Sequence, residues 1–339
     1  MSVLRLVRED DLAGVLALAK YAGAGLTTLP ADEALLKAKI LDSCRSVEYP
    51  PSQPHGESFL FVLEKDEIII GTCAVYTKVG GFDPFWTYKI RSKKIRSKSL
   101  KVNKKIQYLQ VKKEHSGPSE IGTLFLHPDY RKDNHGRMLS LSRFLFMAHF
   151  RGFFEKTVLA EMRGRIDEKG NSPFWDCVGS HFFDLSLMKA DLMVNRDKTF
   201  IDDLFPKHPI YIPMLSLEAQ EVIGKVHEKT APAKHLLESE GFKQINEVDI
   251  FEGGAILKVK TDSIRSVKQS QLAYYAGVSH RCDSEPYLIA RCNDLNSFTA
   301  CVSPLEHTDE GLFFPAETVD DLSLEKGDLI RFVKLRMSL

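Results

Sequence analysis

The stretch TLFLHPDYRKDNHGRMLS, from Thr123 to Ser140, starts as a strand, turns through a proline and a charged loop, and resumes with helix-like spacing. A helix N-terminus presents unpaired backbone N–H groups and a partial positive charge, so a tight strand-to-helix junction can hold an anion without any special side chain. In RKDNHGRML, Gly136 permits close backbone approach, and Asn134 is the ordinary residue best able to adopt a positive φ. Arg131, Lys132 and Arg137 add charge around it. Such a turn suits a diphosphate. Neither G-x-x-x-x-G-K-[ST] nor G-x-G-x-x-G is present, and a polar surface turn can carry the same R-x-x-N-x-G letters by chance.

The surrounding elements give the junction its context. Residues 3–7 alternate as a strand, and residues 10–20 carry apolar side chains at helical spacing behind acidic first-turn residues. Gly23-Ala24-Gly25 leads to Leu29-Pro30-Ala31-Asp32-Glu33 and a second amphipathic helix reaching about Ser46. Residues 59–63 and 68–76 read as a hairpin across Glu64-Lys65-Asp66-Glu67. A strand over 120–126, a helix over 136–150 and a strand over 157–162 then form a strand–helix–strand unit whose first turn is the junction. The fold class is α/β of the layered α+β kind. Two segments resemble each other, NSPFWDCVGSHFF and TAPAKHLLESEGF, each with Ser or Thr shortly before Pro and a closing Phe, which suggests a weak internal duplication. Beyond Thr261, short runs such as PYLIARC, FTACVS and DLIRFVKL separated by Asp, Asn, Ser and Gly indicate a small β-rich region.

At 339 residues the chain can bury a substantial core, so size is no obstacle to an enzyme. Lys plus Arg equals Asp plus Glu at 46 each, so global charge favours neither nucleic acid nor an anionic membrane. Residues 89–113 hold eleven Lys and Arg and no acid, a run that could bind RNA but has one internal aromatic, Tyr108; a solvated edge hairpin is the commoner cause. The six cysteines lack a C-x-x-C pair and read as reduced thiols, and His280, Cys282 and Cys292 match no closed zinc pattern, so no metal is expected. No segment approaches a membrane span, and the expected location is the cytosol.

The order of strand, turn, helix, strand and Pro-led helix resembles the GNAT-type N-acyltransferase core, in which an [RQ]-x-x-G-x-[GA] loop takes the pyrophosphate of coenzyme A. Here Asn134 stands where that family usually has glycine. Longer blocks, among them GLTTLPADE, GGFDPFWTY, HSGPSEIGTLFLHPDYR, AEMRGRIDEKGNSPFW, PKHPIYIPML, VIGKVHEKTAPAKHLLESEGF and VDIFEGG, resemble the arginine N-succinyltransferase family across essentially the whole chain.

The resemblance implies transfer of succinyl from succinyl-CoA, a cosubstrate and not a tightly bound cofactor, to the α-amine of L-arginine in arginine catabolism. An acyl-CoA enzyme acting on another amine, or a noncatalytic relative using the basic run on RNA, are the alternatives. It implies that Leu124, Phe125 and Leu126 offer backbone groups to the pantetheine arm, and that Arg131, Lys132, Asn134, His135, Gly136 and Arg137 surround the diphosphate. His227 matches the position treated in the family as proton donor. The substrates bring two carboxylates and a guanidinium, so fixed cations and an acid are needed. Candidates within matched blocks are Arg163 for a carboxylate and Asp83, Glu120 or Glu161 for the guanidinium. The chain departs from the family at Thr87, Lys89, Lys113 and Glu114. Two GNAT-like units are expected, 1–195 with the CoA loop and 196–262 with His227, followed by a β-rich region over 263–339. A homodimer or a paired-subunit oligomer fits the resemblance.

Overall fold

The computed structural model describes residues 1–22, 26, 28–195, 197–282 and 285–335. The chain opens with β1 (Ser2–Leu6), α1 (Leu12–Ala22), α2 (Glu33–Glu48), β2 (Ser58–Lys65) and β3 (Ile68–Tyr76). A long hairpin, β4 (Phe85–Ser97) and β5 (Val102–Glu114), precedes β6 (Ser119–Leu126), α3 (His135–His149) and β7 (Thr157–Glu161). A run of short helices follows: α4 (Pro173–Cys177), α5 (Ser180–Phe183), α6 (Leu187–Val194), α7 (Thr199–Leu204) and α8 (Leu217–Val222), with β8 (Ile210–Tyr211) before the last. Then come α9 (Ala231–Ser239), β9 (Lys243–Asp249), β10 (Ala255–Lys260) and α10 (Arg265–Gln269). The C-terminal part adds β11 (Gln271–Val278), β12 (Tyr287–Arg291), β13 (Thr299–Ser303), β14 (Glu306–Thr308), β15 (Gly311–Phe314), α11 (Ala316–Asp321) and β16 (Leu329–Lys334). The mixed α/β class agrees with the expectation.

All the described strands join one sheet, in the order β14-β15-β11-β16-β12-β13-β1-β2-β3-β6-β7-β10-β9-β4-β5-β8. The sheet crosses both expected boundaries. Strands β9 and β10, from 196–262, lie between β7 and β4, and β13 pairs with β1 through Leu4 and Ala300. Residues 196–262 therefore complete the sheet begun by 1–195 and build no second sheet of their own. Nor are the two Pro-led segments equivalent: Phe174, Trp175 and Phe183 pack with Trp86, Tyr88 and Val248, whereas Leu237 and Phe242 join the main core with Phe144. Each is a Pro-led helix start, which makes them look alike, but only the first is capped by its hydroxyl residue: Ser172 Oγ accepts from the Trp175 N–H at 3.3 Å, and Thr230 makes no such bond.

Strand β2 reads FLFVL without alternation because it is central and covered on both faces, against α2 on one side and α3's core on the other. Helix α3 is buried from Met138 through Met147, with Phe144, Leu145, Phe146 and Met147 at zero exposure. A helix apolar all round needs cover on every side. It packs on β3 and β6 with one face and on β12, β13 and β16 with the other, so the C-terminal region closes over the helix that follows the junction. Among the described residues no helix is long and apolar enough to cross a membrane.

Candidate active site

At the junction, β6 ends at Leu126, a single 3-10 turn covers Pro128–Tyr130, and α3 begins at His135. Asn134 takes φ 63° and Asp133 φ 54°, so the left-handed position anticipated for Asn134 is shared with its neighbour. Two carboxamide- or carboxylate-bearing residues tolerate this region because their short side chains bond locally. The Lys132 amide is committed to the Tyr130 carbonyl (2.8 Å) and the His135 amide to the Lys132 carbonyl (3.0 Å). Any anion at this turn is therefore met by the amides around Gly136 at the start of α3, not by every amide from 132 to 137. A Cβ on Gly136 would meet only Leu126 Cδ2, at 3.9 Å, so the space in front of it is open.

His135 behaves differently from the expectation that it faces the cosubstrate. Its ring is 5 % exposed, with Nε2 bonded to Ser2 Oγ (2.9 Å) and Nδ1 to the Tyr130 carbonyl (3.0 Å). It braces the turn from behind, because the helix places residue 135 on the face toward β1.

Strands β6 and β7 run parallel but pair only at Ser119 with Val158 and Glu120 with Leu159. Beyond that point the ladder ends. On the other side of β6, Thr123 and Leu124 together oppose Cys73 in a bulge, and Thr123 has φ 52°. The bulge is pinned by Thr72 Oγ1 on the Thr123 carbonyl (3.0 Å) and by Tyr76 Oη with Thr123 Oγ1 (3.1 Å). The separation of β6 from β7 opens a cavity of about 1660 Å³, well above the roughly 300–1,000 Å³ of a pocket for one small ligand. Leu124, Phe125, Leu126, Arg131, Lys132, Asn134, Gly136 and Arg137 line it.

The opposite side of the same cavity is acidic. Glu120, Glu161, Asp191, Asp249 and Glu252 all line it, with Lys39, Lys198 and Arg163 among them. Burial pushes Glu120 up to about 7 against the opposing pull of Lys198 and Lys39. Burial, with Asp249 reinforcing it, takes Asp191 to about 7. Glu161 is raised well above the ordinary carboxylate range by burial and then by Glu120 and Asp249. Its side chain is exposed where it opens into the cavity. Asp249 and Glu252 also do structural work: Asp249 Oδ1 accepts from the Phe251 and Glu252 amides (2.8 Å each), and Glu252 Oε2 accepts from the Gly164 amide at 2.6 Å. Gly254 allows this turn to close on β7, since a Cβ there would sit 2.2 Å from the Met162 carbonyl oxygen. Asp83 stands apart at the mouth, 59 % exposed, with Lys198 Nζ at 3.5 Å.

His227 precedes a 3-10 turn that leads into α9. Its backbone N–H donates to the Arg163 carbonyl (2.8 Å), and its Nδ1 accepts from the Lys229 amide (3.1 Å). Lys229, Thr230 and Arg163 line the cavity, whereas His227 itself does not. Burial, then Arg163 and Lys229, hold its pKa below the ordinary imidazole value. With Nδ1 accepting, the neutral ring carries its proton on Nε2.

Sequence reasoning missed Asp191, Asp249, Glu252, Lys39, Tyr76 and Arg143 as cavity residues. They come from five elements and the β9–β10 turn, and only the tertiary fold brings them together. The departures Thr87, Lys89, Lys113 and Glu114 do not line the cavity; they lie on the β4–β5 hairpin, where Lys113 pairs with Asp202 at 2.5 Å. Most of the basic run is solvent-facing on that hairpin.

A sheet splayed beside a strand–turn–helix junction, with one cavity running from that junction to a titratable cluster, is here the scaffold of an acyltransferase. The model of the arginine N-succinyltransferase beta subunit family matches residues 2–266. The arginine N-succinyltransferase of Escherichia coli is 41 % identical over 341 residues, covering 99 % of this chain and 98 % of that protein. The Enterobacter enzyme of the same name is also 41 % identical, over 339 residues with the same coverage. The solved structure of arginine/ornithine succinyltransferase subunit AI from Pseudomonas aeruginosa superposes with a TM-score of 0.89 at 31 % identity, covering 98 % of each chain. The chain belongs to the arginine N-succinyltransferase family.

Proposed function

We propose that the protein transfers the succinyl group of succinyl-CoA to the α-amine of L-arginine. The observation that carries this reading is the cavity that joins the start of α3 to a cluster of carboxylates. Coenzyme A supplies a diphosphate for the first end, and arginine a guanidinium for the second. The first-turn amides of α3 hold the diphosphate, and the unpaired edge of β6 beyond Glu120 takes the pantetheine arm. Glu120 and Glu161 take the guanidinium, which restores the charge that burial discourages. Arg163 faces the arginine α-carboxylate.

Attack by the neutral amine forms the C–N bond and breaks the C–S bond; of the ammonium's two lost protons, one ends on the thiol and one in solvent. His227, with its proton on Nε2, donates toward the sulfur as negative charge develops there. A thiol-release assay tests the reading with succinyl- and acetyl-CoA against arginine, ornithine and lysine. Fastest release with succinyl-CoA and arginine is expected, and no release with any pair would overturn it. Retention on RNA that weakens with salt, without a thermal shift by CoA, would favour the basic hairpin as the working surface instead.

A further inference from the structure

Helix α3 buries an arginine inside the apolar core. Arg143 is 1 % exposed, and burial works against its charge. Among the described residues no carboxylate pairs with it. Its Nε donates to the Ser140 carbonyl (3.0 Å), Nη2 to Ser140 Oγ (2.9 Å) and Nη1 to the Gly122 carbonyl at 3.5 Å. All three acceptors are neutral, and a guanidinium has five N–H donors, so both terminal nitrogens keep donor capacity. A buried charge without a counter-charge is costly and is retained where a ligand completes it.

The position is specific. Gly122 lies in β6 immediately before the bulge at Thr123 and Leu124, just past the point where β6 and β7 stop pairing. Arg143 lines the cavity there together with Gly122, Leu139 and Ala160. Two other cations at the cavity have acids nearby: Lys78 bonds Glu155 at 2.8 Å, and Lys198 lies 3.5 Å from Asp83. Lys39 acts on Glu120. Arg143 is the deeply buried cation, and it lies under the strand that takes the pantetheine arm in the function proposed above.

Resting on that function, we propose that Arg143 recognises the terminal carboxylate of the acyl group and so selects a dicarboxylic acyl-CoA over a neutral one. The planar fork of a guanidinium accepts a carboxylate bidentately, and the Ser140 contacts fix the fork's orientation. The succinyl chain is short, so its carboxylate stays beside β6 when the thioester sits at the bulge.

The test compares succinyl-CoA with butyryl-CoA, which has the same carbon count and no carboxylate, in thiol release with arginine. The parent should favour succinyl-CoA strongly. In Arg143→Met the ratio of the two kcat/KM values should fall on the order of a hundredfold, from loss of succinyl turnover. An unchanged ratio, with both activities falling together, would make Arg143 only a brace for the β6 bulge and overturn the proposal. A rise in KM for arginine with the acyl ratio kept would overturn it too. Should the Met variant not fold, Arg143→Lys carries the test: it keeps the charge but loses the fork, and the ratio should fall about tenfold; an unchanged ratio again overturns the proposal. Absence of thiol release in the parent with either acyl-CoA would instead fail the proposed function itself.

Discussion

The two ends of the cavity are built in opposite ways. The end at α3 is made of backbone: a bulged strand, two left-handed residues and the first amides of a helix, with Gly136 kept clear of any side chain. The end at Glu120 and Glu161 is made of side chains whose own charge is suppressed by burial until a cation arrives. A backbone site tolerates change in side chains but not in shape. A side-chain site tolerates change in shape but not in charge. His227 belongs to neither end; its backbone is tied to the Arg163 carbonyl, just past β7.

The largest effect that separates chemistry from either binding end is expected at His227. His227→Ala should lower kcat by about a hundredfold while CoA affinity, set by the α3 turn, changes little. Parent-like turnover in that variant would remove His227 from the mechanism. At the backbone end, Gly136→Val should weaken CoA binding about tenfold by blocking approach to the first amides. The fold should persist because a Cβ there meets only Leu126 Cδ2, at 3.9 Å. Calorimetric titration of CoA reads this directly, and unchanged affinity would end the diphosphate assignment.

The side-chain end should respond to pH instead. Glu120 and Asp191 sit at about 7 when buried, above their ordinary values of 4.5 and 3.8. A carboxyl raised in the folded protein keeps a proton that the unfolded chain has lost, so their burial costs stability as pH rises from the unfolded values through about 7. A guanidinium reverses this by favouring the ionised forms. Arginine affinity should therefore rise between about pH 6 and pH 8, with proton release on binding below 7. Flat affinity over that range would place the cation elsewhere. The smallest effect is expected behind the turn. Ser2→Ala removes the 2.9 Å bond to His135 and should cost about 1 kcal/mol in thermal or denaturant unfolding; no change would show that the brace is idle.

The contrast also explains what could be read in advance. The junction was legible because its parts are consecutive: strand, Asn134, Gly136 and helix follow one another in TLFLHPDYRKDNHGRMLS. The role of Gly136 as open approach and the φ of Asn134 follow from residue type alone. Of the acidic end, Glu120 and Glu161 are legible only because they fall within blocks that resemble the family. Asp191 and Glu252 are not, since they lie on the α6 helix and the β9–β10 turn and reach the cavity only through sheet order. Sheet order is set by long-range pairing, which local pattern does not contain. The same limit hides that the strands of the β-rich region over 263–339 cover α3. Arg143 was hidden for a different reason: in SLSRFLFMAH its neighbours read as a core stripe, and nothing local signals that the charge faces a cavity.

The central claim is that one cavity binds two substrates by these two separate means. The most direct measurement is steady-state kinetics of the Glu120→Gln, Glu161→Gln double variant with each substrate varied in turn. Burial raises both carboxyls, so replacement by neutral amides of the same shape should leave the fold intact. KM for arginine should rise by about tenfold or more, while KM for succinyl-CoA stays near the parent value. An arginine KM equal to the parent's, or a succinyl-CoA KM that rises in step with it, would contradict the account.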